Sequence, residues 1–160
     1  MKVINSLFLD ELKTEFESIC ADKSTRHKTR LEDFHKKLRD LRFMDPACGC
    51  GNFLILSYRE LRRLELALLK ELHIGQQFLD VRQAILVDVD QFYGIEYSEW
   101  PKRIAEVAMW LMDHQMNQLV SDAFGDSFER LPLRNSPHIV QDNALTRDWR
   151  TVLPSEQCTY

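Results

Sequence analysis

The chain has 160 residues, which suits one domain with a substantial core, because a chain of this size buries roughly two-thirds of its unfolded surface on folding. Hydrophobic residues make up 44% and charged residues 29%, as in globular proteins, which excludes long disorder. The net charge of −4 disfavours a chain that grips nucleic acid by itself, because such proteins carry a basic surplus.

The chain start and the cysteines indicate the compartment. No apolar run approaches the roughly 18 residues of a membrane span, and the start of the chain lacks a signal-peptide pattern. We therefore expect a cytoplasmic protein with no membrane contact. Its four cysteines should be free thiols, and their spacing disfavours a metal site.

Two helical patterns open the chain. In the first, apolar residues recur at helical spacing, at Phe8, Leu12, Phe16 and Ile19. The second repeats this period at Leu31, Phe34, Leu38 and Leu41. We expect Asn5 to cap the first helix and a turn at Arg39-Asp40 to end the second. Residues 1–40 would then form an N-terminal helical segment, and residues 41–160 the rest of a single domain.

A strand, a glycine loop and a helix follow. Residues 41–45 are mostly apolar, and Pro46 disfavours helix just before it, so we expect a strand that ends at Asp45. Two glycines lie in the loop that follows. A long amphipathic helix is predicted from Asn52 to about His73, with Gly75 as its C-cap.

The second half predicts two more strands. Of two short apolar runs, 84–89 and 92–96, we expect the second to be the sheet strand, ending on Glu96. Ser98 is predicted to cap the next helix, with Pro101 in its first turn and its end near Val120. A loop is expected over 121–137 and a strand over 138–141. Because strands alternate with helices, the pattern predicts an α/β fold with a parallel sheet and flanking helices.

Polar residues mark the ends of all three predicted strands: Asp45, Glu96 and the Asp142-Asn143 pair. Ligands of open parallel sheets bind beyond these ends. Gly49 and Gly51 let the main chain turn and approach a ligand, and the next helix offers unpaired N–H groups to an anion. The loop therefore suits a nucleotide-like ligand.

The residues around the loop discriminate between cofactors. Asn52-Phe53 follows the glycines where a phosphate-binding loop has Lys-Ser or Lys-Thr, which disfavours nucleoside triphosphates. NAD is disfavoured because Asp45 would face its pyrophosphate and because Glu96 lies more than twice the usual distance of about 20 residues beyond the glycines. S-adenosylmethionine fits, since Asp45 can pair with its ammonium, the loop amides with its carboxylate and Glu96 with its ribose hydroxyls.

Three motifs carry a resemblance to a known family. Residues 45–54, DPACGCGNFL, resemble motif I of the gamma-class adenine-N6 DNA methyltransferases. QFYGIE, which ends at Glu96, and the helical residues IAEVAMWL at 104–111 resemble motif II of the large restriction-modification fusion enzymes. Asn143-Ala144-Leu145 resembles motif III. The resemblance covers most of residues 1–149 and implies a Rossmann-like, S-adenosylmethionine-dependent methyltransferase fold, with the cofactor-binding part in residues 41–160.

Carried over position by position, the resemblance implies a set of cofactor-binding residues: Asp45, Ala47, Cys48, Gly49, Gly51, Asn52, Phe53, Glu96, Tyr97, Asp142, Asn143 and Leu145. Asp45 would contact the methionine ammonium, Gly49 and Gly51 the methionine backbone, and Glu96 the ribose. Tyr97 and Leu145 would pack near the adenine ring. Asp142 stands where the family often has glycine, so either it or Asn143 would bond the adenine amino group.

The resemblance also implies a motif that these residues lack. The family holds its target amine with the tetrapeptide Asn/Asp/Ser-Pro-Pro-Tyr/Phe, which does not occur here. We expect a fragment of a larger DNA adenine methyltransferase, inactive alone, whose duplex DNA is held by regions outside this chain. The alternatives are an RNA or small-molecule methyltransferase, and a cofactor-free interaction domain of the same fold.

Several residues have ordinary structural interpretations. The basic run Arg59, Arg62 and Arg63 is typical of a solvated helix face. Trp100 is expected in the core, with a place beside the cofactor adenine as the alternative. Cys48 is expected to be a small loop residue rather than a nucleophile.

Overall fold

The computed structural model describes residues 2–22, 24–72, 84–124 and 135–160. The predicted C-cap at Gly75 lies outside these ranges, as do residues 125–134 of the predicted loop. Helices in the described ranges are too short or too polar to cross a membrane.

The chain begins with helices. These are α1 (Lys2–Ile4), a π-helical turn (Asn5–Leu9), α2 (Asp10–Ala21) and α3 (His27–Asp40). The prediction that Asn5 caps the first helix is wrong, because Lys2–Ile4 are already helical and Asn5 lies inside the continuous helical segment. The predicted turn at Arg39-Asp40 is also wrong, since both residues complete α3 and the chain becomes extended only at Leu41.

Within the described residues the sheet has three parallel strands in the order β1 (Phe43–Asp45), β2 (Phe92–Glu96) and β3 (His138–Gln141). α4 (Asn52–Leu72) connects to β1, and α5 (Glu99–Phe124) follows β2. Residues 121–124, predicted as loop, continue α5. The architecture confirms the predicted α/β class with a parallel sheet and flanking helices.

As predicted, the run at 84–89 stays outside the sheet. Asp88 instead caps a 3-10 turn (Val89–Gln91), its carboxylate accepting from the Val89 N–H at 2.6 Å. The Gln91 side chain donates to the carbonyls of Leu38 and Leu41 at 2.8 and 2.9 Å. This turn ties the end of α3 to the start of β2.

Aromatic rings cross the sheet on the face that the helices cover. Phe43 and Phe92, paired in register, stack with centroids 4.9 Å apart. Tyr58 of α4 meets Phe92 edge-on at 5.5 Å, and Phe8 meets Phe43 at 4.8 Å. Fully buried aromatic pairs of this kind stabilise by about 0.5–1.5 kcal/mol beyond their area burial. These aromatic contacts fix the position of β1 and β2 relative to the helices.

The predicted solvated face at Arg59, Arg62 and Arg63 is wrong for Arg62, which is 1% exposed. Its guanidinium donates to the Tyr58 hydroxyl at 2.7 Å, to Asp113 at 3.1 Å and to Asn117 at 2.9 Å. The last two partners lie on α5, more than 50 residues along the chain. Arg62 therefore joins α4 to α5 through a buried polar network.

Candidate functional site

The three strand ends meet at one edge of the sheet, as their sequence positions predict. Asp45 pairs in register with Gly94, and Glu96 with Gln141. Beyond the ladder, the Asp142 N–H donates to the Glu96 carbonyl at 3.0 Å. The polar residues of all three ends thus lie at one edge of the sheet, which we call the crevice, with Glu96 on the central strand.

Glu96 holds the glycine loop to the start of α5. One carboxylate oxygen accepts from the Gly49 N–H at 3.0 Å and the other from the Ser98 N–H at 2.9 Å. The Cys48 N–H donates to the Ile95 carbonyl at 3.1 Å, which fastens the same loop to β2. A carboxylate has about four acceptor sites, so Glu96 keeps two for a ligand.

The two loop glycines serve different purposes. Both have positive φ, +53° at Gly49 and +80° at Gly51, where side chains are strained. A Cβ on Gly51 would lie 2.9 Å from the Cβ of Ala105, so this glycine lets the loop pack on α5. A Cβ on Gly49 would meet no atom within 4 Å. Gly49 therefore faces open space, where a ligand can approach the main chain.

Cys48 is the buried side of the loop. Its side chain is 6% exposed, and a Cβ on Gly94 would lie 2.9 Å from its sulfur. Burial, followed by the negative charges of Asp45 and Glu96, raises the pKa of the Cys48 thiol to about 12. The thiol stays protonated at neutral pH, as expected of a packing residue rather than a nucleophile.

Asp45 and the start of α4 supply opposite polarities. One Asp45 carboxylate oxygen accepts from the Ala47 N–H at 3.0 Å, which leaves the other for a cationic group. α4 begins at Asn52, whose side chain is exposed, while Phe53 packs against the core. The first N–H groups of a helix lack intrahelical acceptors and attract anions. A ligand with an ammonium and a carboxylate close together matches this pair.

The end of β3 carries a residue that the sequence analysis missed. Arg147 donates to Asp142 at 2.6 Å, and the other Asp142 oxygen accepts from the Asn143 N–H at 2.8 Å. These two contacts, with Arg147 the stronger, hold the pKa of Asp142 below its ordinary value. The Asn143 side-chain oxygen accepts from the Leu145 N–H at 3.0 Å. No local pattern singles out Arg147, because its partner is set by the turn.

Large apolar side chains are exposed beside this edge. Tyr97 is 73% and Leu145 93% exposed, so both have surface free to cover a flat ring. The Gln141 side chain donates to the Tyr97 carbonyl at 3.5 Å, which holds that residue near β3. Trp100 is 81% exposed, so its predicted place in the core is wrong. α5 buries its opposite side, at Ala105 and Met109, against the rest of the fold.

The last residues run along the other edge of β1. The Tyr160 N–H donates to the Arg42 carbonyl at 3.0 Å, and its carbonyl accepts from the Met44 N–H at 2.7 Å. In a parallel ladder, one residue bonds to the two residues on either side of its partner, as Tyr160 does here with Arg42 and Met44. The Tyr160 ring stacks on Phe43 at 5.5 Å. The chain here therefore points toward the Asp45 end of β1, beside the crevice.

Comparison with known proteins gives a family match. The model described as "MmeI, DNA-methyltransferase domain" matches residues 21–160. A solved structure of the Type IIL restriction-modification enzyme MmeI in complex with DNA matches with a TM-score of 0.91 and 54% identity, over 98% of this chain and 20% of that one. This likeness confirms the predicted Rossmann-like arrangement.

Two further relatives are named for related activities. DNA methyltransferase A of Bacillus subtilis (strain 168) is 36% identical over 158 residues, which are 98% of this chain and 17% of that protein. A protein of Methanocaldococcus jannaschii with the provisional name of a type II restriction enzyme and methyltransferase is 30% identical over 109 residues, 68% of this chain and 9% of that protein. The chain thus spans a fifth or less of each of these three proteins.

Proposed function

The chain belongs to the family of MmeI-type DNA-methyltransferase domains, and on that premise we propose that it is the S-adenosylmethionine-binding part of a restriction-modification enzyme that methylates adenine in duplex DNA. The parent polypeptide would transfer the methyl group to the exocyclic amine of the base. The observation that carries the proposal is the carboxylate of Glu96, which bridges the Gly49 and Ser98 N–H groups in a loop where the Cβ position of Gly49 is open space.

The crevice fits the chemistry of this cofactor. Asp45 would hold the methionine ammonium with its available oxygen, and the N–H groups of Asn52 and Phe53 at the start of α4 would hold the carboxylate. Glu96 would accept both ribose hydroxyls, a charge-assisted contact. When bound, S-adenosylmethionine supplies an electrophilic methyl group.

The adenine end is proposed to lie between the exposed Tyr97 and the β3 end. Asp142 is already paired with Arg147, and Asn143 is turned toward the Leu145 N–H. Both keep acceptor capacity, since a carboxylate and an amide oxygen each have more lone pairs than these contacts use. Leu145 would cover the ring from the side of the turn.

We propose that the target base is held by the parent outside these 160 residues. Duplex DNA methylation requires that the base leave the stack, and the chain contains neither the family's base-holding tetrapeptide nor a basic surplus. These residues alone should therefore transfer no methyl group.

An RNA or small-molecule methyltransferase is less well supported. The matched structure is a complex with DNA, and the Bacillus relative is named a DNA methyltransferase. A cofactor-free interaction domain is disfavoured by the Asp45 oxygen and the two Glu96 acceptor sites that the fold leaves open toward one crevice.

Labelled methyl transfer tests the proposal. The parent polypeptide is incubated with methyl-labelled S-adenosylmethionine and duplex DNA, the DNA is digested to nucleosides, and the label is assigned by chromatography. Label in N6-methyldeoxyadenosine supports the proposal. Label in deoxycytidine, or no label in the DNA, contradicts it. A parallel reaction with the 160 residues alone should leave the DNA unlabelled, and labelled DNA there would also contradict the proposal.

A further inference from the structure

The first three turns of α5 expose apolar side chains on the side that faces away from the core. Four of them, 48 to 81% exposed, form what we call the outer stripe: Trp100, Ile104, Val107 and Leu111. Ala105 and Met109, on the inner side of the same turns, are buried. A helix that is apolar on both sides is normally covered on both sides. Within the described residues, the outer stripe therefore lacks a cover that its composition calls for.

The spacing of the stripe indicates what kind of cover fits it. The intervals of four, three and four residues are those of the apolar seam of a coiled coil. Together with Arg103 and Ala108, the stripe lines an apolar groove on the helix surface. Such a groove takes the side chains of a second helix laid along it.

The charges beside the stripe pair with one another. Arg103 lies 3.7 Å from Glu99 and 3.4 Å from Glu106, and Lys102 lies 3.0 Å from Glu106. A nucleic acid would require cations directed outward toward its phosphates. The groove instead offers apolar contact with a neutralised border, so the partner is a protein segment.

We propose that the outer stripe is covered by an amphipathic helix of the parent polypeptide that lies outside these 160 residues. The matched proteins have four-fifths or more of their length beyond the matched part, which provides such a segment. A second copy of the chain fits less well, because four exposed apolar side chains on one helix fall short of the roughly 20–30 residues per partner in a standard interface. A tethered helix binds through a smaller area, since linkage gives it an effective concentration in the millimolar range.

The position of the stripe gives this contact a consequence. It starts four residues after Glu96, at the end of α5 that Glu96 holds through the Ser98 N–H. A helix docked here would join another part of the enzyme to the element that carries the crevice. The proposal concerns the surface alone and stands whether or not the crevice binds S-adenosylmethionine.

Thiol labelling of the complete parent polypeptide tests it. Val107→Cys and Leu111→Cys place single probes in the stripe, and Lys36→Cys, at an exposed side chain on α3, is the matched control. Labelling by a maleimide is read at each peptide by mass spectrometry and referred to the denatured protein. We expect the two stripe probes to react at least about tenfold more slowly than the control. This protection should persist when the protein is diluted roughly a hundredfold.

Two results would overturn the proposal. Equal rates at the three positions would mean that the stripe is open in the parent. Protection that disappears on dilution would mean that a second copy covers it. Hydroxyl-radical footprinting of the unsubstituted parent gives a reading without mutation: Trp100 should be protected, and oxidation at the rate of a free tryptophan would contradict the proposal.

Discussion

Replacing Gly51 by alanine should destabilise the fold strongly, and the reason is local geometry. The backbone at Gly51 has φ +80°, where an L side chain costs about 1–2 kcal/mol. The new Cβ would also lie 2.9 Å from the Cβ and 3.3 Å from the Cα of Ala105. Overpacking of this kind costs about 1–3 kcal/mol, because α5 cannot move without disturbing its core contacts. We therefore expect a loss of about 2–5 kcal/mol.

Gly49→Ala is the matched control, since the two glycines lie two residues apart in one loop. Its φ of +53° imposes similar backbone strain, but the new Cβ meets nothing within 4 Å. The expected loss of stability is therefore only about 1–2 kcal/mol. Because the open space beside Gly49 is the proposed cofactor space, this variant should lose cofactor affinity more than stability.

Urea denaturation of the 160-residue chain, followed by circular dichroism, measures both losses. A double-mutant cycle with Ala105→Gly isolates the contact, because removing the opposing methyl should relieve the overpacking and leave the backbone strain. The coupling energy should be about 1–3 kcal/mol in the relieving direction. Equal losses at the two glycines, together with zero coupling, would refute the assignment of Gly51 to helix packing.

Three further results are expected. Arg62→Ala should destabilise the chain by about 3–5 kcal/mol, because it removes the cation that pairs with the buried Asp113 carboxylate. Arg63→Ala, at an exposed side chain, should change the free energy of unfolding by less than about 0.5 kcal/mol in the same denaturation assay, and equal losses would contradict the network. Ellman's reagent at pH 8 should modify the exposed Cys50 and spare Cys48, whose pKa is about 12; rapid reaction of both would contradict its burial. Arg147→Ala should remove the stabilisation that comes from the lowered pKa of Asp142. That stabilisation is complete above pH 3.8, the ordinary carboxyl pKa, and is lost as pH falls through the lowered pKa of the folded state. Thermal melts of both proteins from neutral to acid pH measure it, and parallel curves would mean that the ion pair is absent.

The parts of the fold that the sequence predicts depend on neighbouring residues. The strand ends at Asp45 and Glu96 were predictable because proline, glycine and alternating apolar patterns act over a few residues. The glycine loop was predictable for the same reason. The carboxyl ends of parallel strands meet at one edge of a sheet as a general rule, so the crevice was also predictable.

The parts that were missed depend on distant residues. Arg62 looks like a solvated arginine because its partners Asp113 and Asn117 lie on another helix. Trp100 looks like a core residue because α5 is apolar on both sides, and sequence does not tell which side meets the sheet. Asn5 has the side chain of a cap, but the helix starts earlier, at Lys2. In each case tertiary packing overrides a local preference.

Calorimetric titration of the parent polypeptide with S-adenosylhomocysteine, the product form of the cofactor, tests the central claim most directly. Glu96→Ala should weaken binding by on the order of 2 kcal/mol, the scale of hydrogen bonds to a charged group. Glu99→Ala, three residues further at an exposed carboxylate, is the control and should bind as the unsubstituted protein does. No binding to the unsubstituted parent, or equal affinity in the Glu96→Ala variant, would contradict the assignment of this crevice to the cofactor.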